Sequence, residues 1–177
     1  MRTFVAGPAG IKRLLPHRHP ILLVDRVLEL VPGERLTALK AVTGNEPWYR
    51  DVSEHAAEED YDYPPALLIE SWCQSAALLV ARDAPNPDVL DGRVMLFGGM
   101  SGLNFTGRVR PGDAVVHEVR QIRAFDDTVI FEGRSSVGDD VVMEVGQAMI
   151  VLRPASELAA AAGAVSAQGR GGAHDGD

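Results

Sequence analysis

One stretch of the chain is apolar on almost every helical face. Pro64-Pro65-Ala-Leu-Leu-Ile-Glu-Ser-Trp-Cys-Gln-Ser-Ala-Ala-Leu-Leu-Val-Ala-Arg-Asp predicts a helix. Proline suits the first turn, no Gly or Pro interrupts the interior, and Pro85 stops it. From Ala66 to Arg82 such a helix extends about 25 Å. Leu67, Leu68, Ile69, Trp72, Cys73 and the run from Ala76 to Val80 point most of the way round it. That is the pattern of a helix buried on nearly every side, so the rest of the chain must wrap it.

The wrapping material reads as strand. Residues 94–105, 113–123, 128–137 and 141–152 alternate or run apolar, with many Val and Ile. They are separated by Pro111-Gly112-Asp113, Asp126-Asp127 and Gly138-Asp139-Asp140, which are turn sequences. Upstream, residues 22–30 and 35–43 predict a hairpin around Pro32-Gly33-Glu34. Turns this short join antiparallel neighbours. About six strands around one long apolar helix predict an α+β hotdog arrangement, an antiparallel sheet wrapped around a central helix. After Pro154 the chain turns Ala- and Gly-rich and lacks large apolar groups that would offset the entropy of ordering. The expected organisation is a domain over 1–154 and a flexible tail over 155–177, with at most a brief helix near 156–162.

Composition narrows the function classes. Apolar types make up 46% of the 177 residues and charged types 24%, which are globular proportions. The net charge of −8 argues against broad nucleic-acid binding. A single cysteine, Cys73, excludes an internal disulfide framework. The amino terminus lacks the apolar core of a signal peptide, and no run approaches the roughly 18 apolar residues of a membrane span. A soluble, cytoplasmic protein without membrane or nucleic-acid partners is expected.

Glu70 is the most informative candidate for chemistry. It lies early in the apolar helix, four residues before Gln74 on the same face. Burial there would raise its pKa towards what a general acid needs; the alternative is a Glu that reaches the helix's exposed edge. His55 sits in an acidic loop upstream of the helix, either as a base or as a solvated surface group. His17 and His19 flank the entry to the first strand and read as structural; His117, on a strand, can face solvent; His174 is in the tail. No His or Cys pair has metal-ligand spacing, so no metal is expected. Cys73 reads as an inert packing residue. Gly98 and Gly99 let a ligand or backbone come close, or mark a β-bulge.

Several motifs then resemble one family. Leu15-Pro-His-Arg-His-Pro-Ile-Leu-Leu-Val-Asp-Arg-Val, Asn45-Glu-Pro-Trp-Tyr, Leu67-Leu-Ile-Glu-Ser-Trp-Cys-Gln and Phe97-Gly-Gly-Met occur in order. So do Phe105, Arg108 and Arg110-Pro-Gly-Asp. Together they resemble the 3-hydroxyacyl-(acyl-carrier-protein) dehydratases, FabZ/FabA-like hotdog proteins of fatty-acid synthesis. The resemblance implies dehydration of a 3-hydroxyacyl thioester to the trans-2-enoyl thioester, in fatty-acid or polyketide biosynthesis. A histidine would take the proton beside the thioester, and a carboxylic acid on the central helix would protonate the departing hydroxyl. It places Glu70 as that acid and Gln74 as the family's glutamine, and makes Gln74, Gly98, Gly99 and Pro65 substrate-binding positions. The implied partners are a phosphopantetheine-bearing acyl carrier protein and a second hotdog subunit, identical or related; no cofactor is implied. Arg108, Arg110, Arg120 and Arg123 are the candidates for carrier docking.

The histidine loop departs from the family. No Gly precedes and no Phe-Pro follows His55, the spacing from Asn45 to Glu70 is longer, and Pro65 stands where the family has Gly. Proline has no N–H to offer an oxyanion. Three readings follow: a self-sufficient dehydratase using His55 and Glu70, a degenerate subunit lending Glu70 to a histidine-bearing homologue, or a hotdog acyl thioesterase.

Overall fold

The computed structural model describes residues 5–83, 85 and 87–157; the expected tail lies almost wholly outside them. A short helix α1 (Pro8–Leu14) leads into β1 (Arg26–Val31) and β2 (Arg35–Ala41). The central helix α2 (Pro65–Ala81) follows, then β3 (Arg93–Phe105), β4 (Ala114–Phe125), β5 (Thr128–Val137) and β6 (Asp140–Pro154). The strands form one six-stranded sheet in the order β1-β2-β4-β5-β6-β3, and every pairing is antiparallel. This is the hotdog fold: the sheet curls around α2, whose residues from Ser71 to Leu79 are all buried except Cys73.

The core is where the two meet. Leu68, Trp72 and Leu78 of α2 pack in one cluster with Val115, Val119, Phe131 and Met143 of the sheet. Trp72 has no exposed surface, and its indole N–H donates to the Glu118 carbonyl at 3.3 Å. The strand beyond that carbonyl must come close, and Gly133 permits it. A Cβ there would lie 2.0 Å from the Glu118 oxygen and 3.2 Å from the Trp72 ring.

Two expectations are corrected. His117 does not face solvent. It shares the inward parity of Val115 and Val119 on β4 and is completely buried. Its Nε2 lies 2.8 Å from Ser71 Oγ and its Nδ1 2.8 Å from Ser135 Oγ. Burial, helped by the charge of Lys40, pushes its pKa down to about 3, so the ring is neutral. The second correction concerns β1, which begins at Arg26 and not at residue 22. The amides of Leu23 and Val24 donate to the Gln74 side chain and not to a neighbouring strand.

The two sheet edges differ. β1 is six residues long, and Ala6 bridges to Val27 across its outer side. β3 runs for 13 residues, pairs among the described residues only with β6, and exposes Phe97, Leu103 and Phe105.

Candidate active site

Glu70 lies on α2 at the wall of a cavity of about 130 Å³. Pro16, His17, Cys73 and Gln74 line its inner side, and Met95, Leu96, Phe97 and Ile150 bring apolar surface from β3 and β6. The carboxyl is half-buried, with 35% of its side chain exposed.

Gln74 fixes the acid from one turn below. Its amide is 1% exposed and fully used. Oε1 accepts from the backbone N–H of Leu23 at 2.9 Å and of Val24 at 3.4 Å. Nε2 donates to the Ile21 carbonyl at 2.6 Å and to Glu70 Oε1 at 2.8 Å. Only one orientation of the amide satisfies all four contacts, since carbonyls and carboxylates accept and N–H groups donate. The helical spacing therefore does two jobs: it ties the chain before β1 to α2, and it holds Glu70.

His17 completes the arrangement, with Nε2 3.3 Å from Glu70 Oε1. The histidine expected to be structural thus touches the acid. The consequence for Glu70 is a further correction to the sequence-based expectation. Its pKa is lowered, not raised: the hydrogen bond from His17 outweighs burial, and Gln74 lowers it further. The neighbouring Cys73 thiol is pushed up to about 12 by burial and by Glu70, which fits an inert packing thiol and not a nucleophile.

His55 is elsewhere in the protomer. Its side chain is 88% exposed, 3.8 Å from Glu54, in an open depression with Val52, Ser53, Ala56 and Asp60. The loop carrying it is anchored at both ends. At its start, Lys40 donates to Glu46 Oε1 at 2.7 Å in a nearly buried ion pair, and the Trp48 ring packs edge-on against Tyr63. At its end, Tyr49 donates to the Tyr61 carbonyl, and Asp62 accepts from Arg108 and Arg110. Residues 50–60 between these anchors are mostly exposed.

Gly98 and Gly99 sit at an irregularity in the β3–β6 pairing, where Gly99 has φ +151°; the bulge places Phe97 and Leu96 against the cavity. Pro65 opens α2 directly after Pro64, so Ala66 carries the first N–H of the helix. Of the four arginines expected to dock a carrier protein, Arg108 and Arg110 are paired with Asp62, and Arg120 with Glu132. Only Arg123 has no carboxylate partner among the described residues. No group of three or more His, Cys, Asp or Glu among the described residues is placed to hold a metal. No helix among them is long and apolar enough to cross a membrane.

A hotdog sheet around a helix bearing one braced acid at an apolar cavity defines a class of acyl-thioester-handling proteins. The chain belongs to the FabA-like family, whose domain model matches residues 15–146. It is 38% identical over 146 residues to a 3-hydroxyacyl-[acyl-carrier-protein] dehydratase FabZ of Granulibacter bethesdensis, covering 82% of each chain. It is 40% identical over 145 residues to the FabZ of Variovorax paradoxus, covering 81% of this chain and 93% of the relative. Among solved structures, the dehydratase heterocomplex ApeI:P from Xenorhabdus doucetiae matches with a TM-score of 0.68 at 15% identity, over 84% of this chain and 94% of that one. The fluoroacetyl-CoA thioesterase FlK matches with a TM-score of 0.56 at 13% identity, over 75% and 95%. These two likenesses show the shared fold.

Proposed function

We propose that the protein dehydrates a 3-hydroxyacyl thioester carried on acyl carrier protein to the trans-2-enoyl thioester. The observation that carries this reading is Glu70, held by His17 and Gln74 at the wall of an apolar cavity in a chain resembling FabZ dehydratases over most of its length. A base takes the proton from the carbon next to the thioester carbonyl, and that electron pair becomes the new double bond. The bond from the β-carbon to the hydroxyl breaks, and the hydroxyl leaves as water with the Glu70 proton. The Ala66 N–H at the start of α2 is a candidate donor to the thioester oxygen, favoured by the positive end of the helix dipole. The N–H groups that hold Glu70 stabilise the carboxylate left behind, which makes its proton easier to give. The cost is a smaller protonated fraction at neutral pH.

The base comes from a second subunit. A cavity of about 130 Å³ is small beside ligand pockets, and the side formed by β3 belongs to a long edge strand, paired on one side by β6, with exposed aromatic residues. Such an edge is a template for pairing with another chain. Joining two β3 edges would bring a partner's loop towards the cavity that β3 lines, and His55 of that loop is the candidate base. The carrier would meet residues 5–24, where Lys12, Arg13 and Arg18 are exposed and no carboxylate occurs.

Complementation tests this. With a 3-hydroxyacyl carrier-protein substrate, the wild-type chain forms enoyl product, and Glu70→Gln and His55→Ala each abolish it. Re-assembling the two inactive variants in equal amounts restores about a quarter of wild-type activity, because half the dimers are mixed and each mixed dimer has one intact site. An inactive mixture would refute a shared site, and an undiminished His55→Ala variant would remove His55. Activity appearing only with a histidine-bearing homologue would assign the chain to the lending-subunit role. Release of free thiol without enoyl product would point to thioester hydrolysis.

A further inference from the structure

His17 is held as a reacting group's partner would be, and its part in the reaction extends past stabilising the Glu70 carboxylate. Three backbone carbonyls, of Lys12, Leu15 and His17 itself, accept from the Arg18 guanidinium and fix the loop. Leu15 is fully buried beside it. Among the described residues the imidazole then makes one polar contact, to Glu70. A carboxylate only accepts, so Nε2 carries the hydrogen. Nδ1 is buried without any partner among the described residues. A buried, unpaired acceptor is destabilising, and a leucine or phenylalanine filling the same space would avoid it. Packing alone therefore does not explain a histidine here.

The two polar contacts to Glu70, one a hydrogen bond from Gln74 and one an ion-pair contact from His17, fall on the same atom. His17 Nε2 and Gln74 Nε2 both approach Oε1, and no hydrogen bond from the described residues engages Oε2. We propose that His17 is a positioning residue for the reaction. With the Gln74 amide it occupies Oε1, and so leaves Oε2 as the oxygen that hands its proton to the departing hydroxyl. This rests on the dehydratase reading and adds a residue to it. The lowered pKa of Glu70 agrees, with His17 as its largest cause. The titratable groups facing Glu70 at the cavity are His17, from the loop after α1, and Cys73, on α2 itself; β3 and β6 present only apolar side chains there.

Two variants of the full chain separate positioning from packing. His17→Phe keeps a ring and removes the donor, whereas His17→Gln keeps an N–H at nearly the same reach. The Glu70 carboxyl is followed by carbon-13 NMR titration, assigned by its loss in Glu70→Gln, and kcat and KM are measured against pH with a 3-hydroxyacyl thioester. In His17→Phe the Glu70 midpoint moves up, and the high-pH limb of kcat moves up with it. Its kcat falls by about tenfold to a hundredfold while KM changes little. His17→Gln returns both midpoint and limb towards wild type. An unmoved midpoint in His17→Phe overturns the proposal, as does a moved midpoint with an unmoved kcat profile. Failure of the wild-type chain to form enoyl product, both by itself and with a histidine-bearing homologue, would refute the dehydratase reading instead, and the titration judges the His17 contact without turnover.

Discussion

The buried His117 makes the fold acid-sensitive by an amount that can be worked out. In the folded chain its pKa is about 3, against the ordinary 6.5, because protonation would place a charge in the core between Ser71 and Ser135. The folded value is lowered, so the unfolded chain binds the proton first as pH falls. Stability is then complete above about pH 6.5 and is lost progressively between that value and about pH 3. At 1.36 kcal/mol per unit, lowering the pH from about 7.5 to about 5 costs about 2 kcal/mol through this residue alone. Urea unfolding at fixed protein concentration measures the loss. The reference is His117→Gln, which does not titrate and retains a donor and an acceptor for the two hydroxyls. Other groups titrate in both proteins and cancel in the comparison. The wild type should lose about 2 kcal/mol more than His117→Gln over that range. Equal losses would refute a neutral, desolvated imidazole in the core.

Two further variants test the supports of the site. Gln74→Leu leaves the Leu23 N–H and the Ile21 carbonyl without their partner. It should cost about 1–3 kcal/mol in urea unfolding and raise the Glu70 midpoint in carbon-13 titration; an unchanged midpoint would show that His17 suffices alone. Lys40→Met leaves Glu46 a nearly buried charge without its cation and should destabilise by about 3–5 kcal/mol. Adding Glu46→Gln should recover part of that loss, and a loss below about 1 kcal/mol in Lys40→Met would deny the ion pair its anchoring role.

Much of this was legible in the chain. A segment apolar on every face, with proline at its start, has one good solution, and α2 occupies Pro65–Ala81. Alternation and turn residues located β2 to β6 within a few residues, because each strand has one face on the core. The i, i+4 spacing of Glu70 and Gln74 correctly put them on one face, and they are hydrogen-bonded. The inward position of His117 was also available, since it shares the parity of Val115 and Val119. What could not be read were the destinations of loop residues. His17 reaches Glu70 only because the chain before β1 crosses α2, a tertiary fact no local pattern encodes. The direction of the Glu70 shift depended on the same contact: burial was foreseeable, the donors that overcome it were not.

The supports of the two candidate catalytic groups do not overlap. Glu70 is held by Gln74, by segment 21–24 through Gln74, and by His17, all outside residues 45–63. The loop carrying His55 is anchored by Lys40 with Glu46, by Tyr49 on the Tyr61 carbonyl, and by Asp62 with Arg108 and Arg110. Between those anchors the chain is mostly exposed and contributes little to the core. Lengthening an exposed loop with fixed ends costs little closure entropy. Such a change can therefore alter where His55 goes, and which subunit's cavity it reaches, without moving the acid. This separation explains how the family's histidine motif can be rebuilt here while the helix motif stays intact. It also makes the acid half of the site the more dependable guide to the chemistry, since its supports lie in elements that the rebuilt loop does not touch.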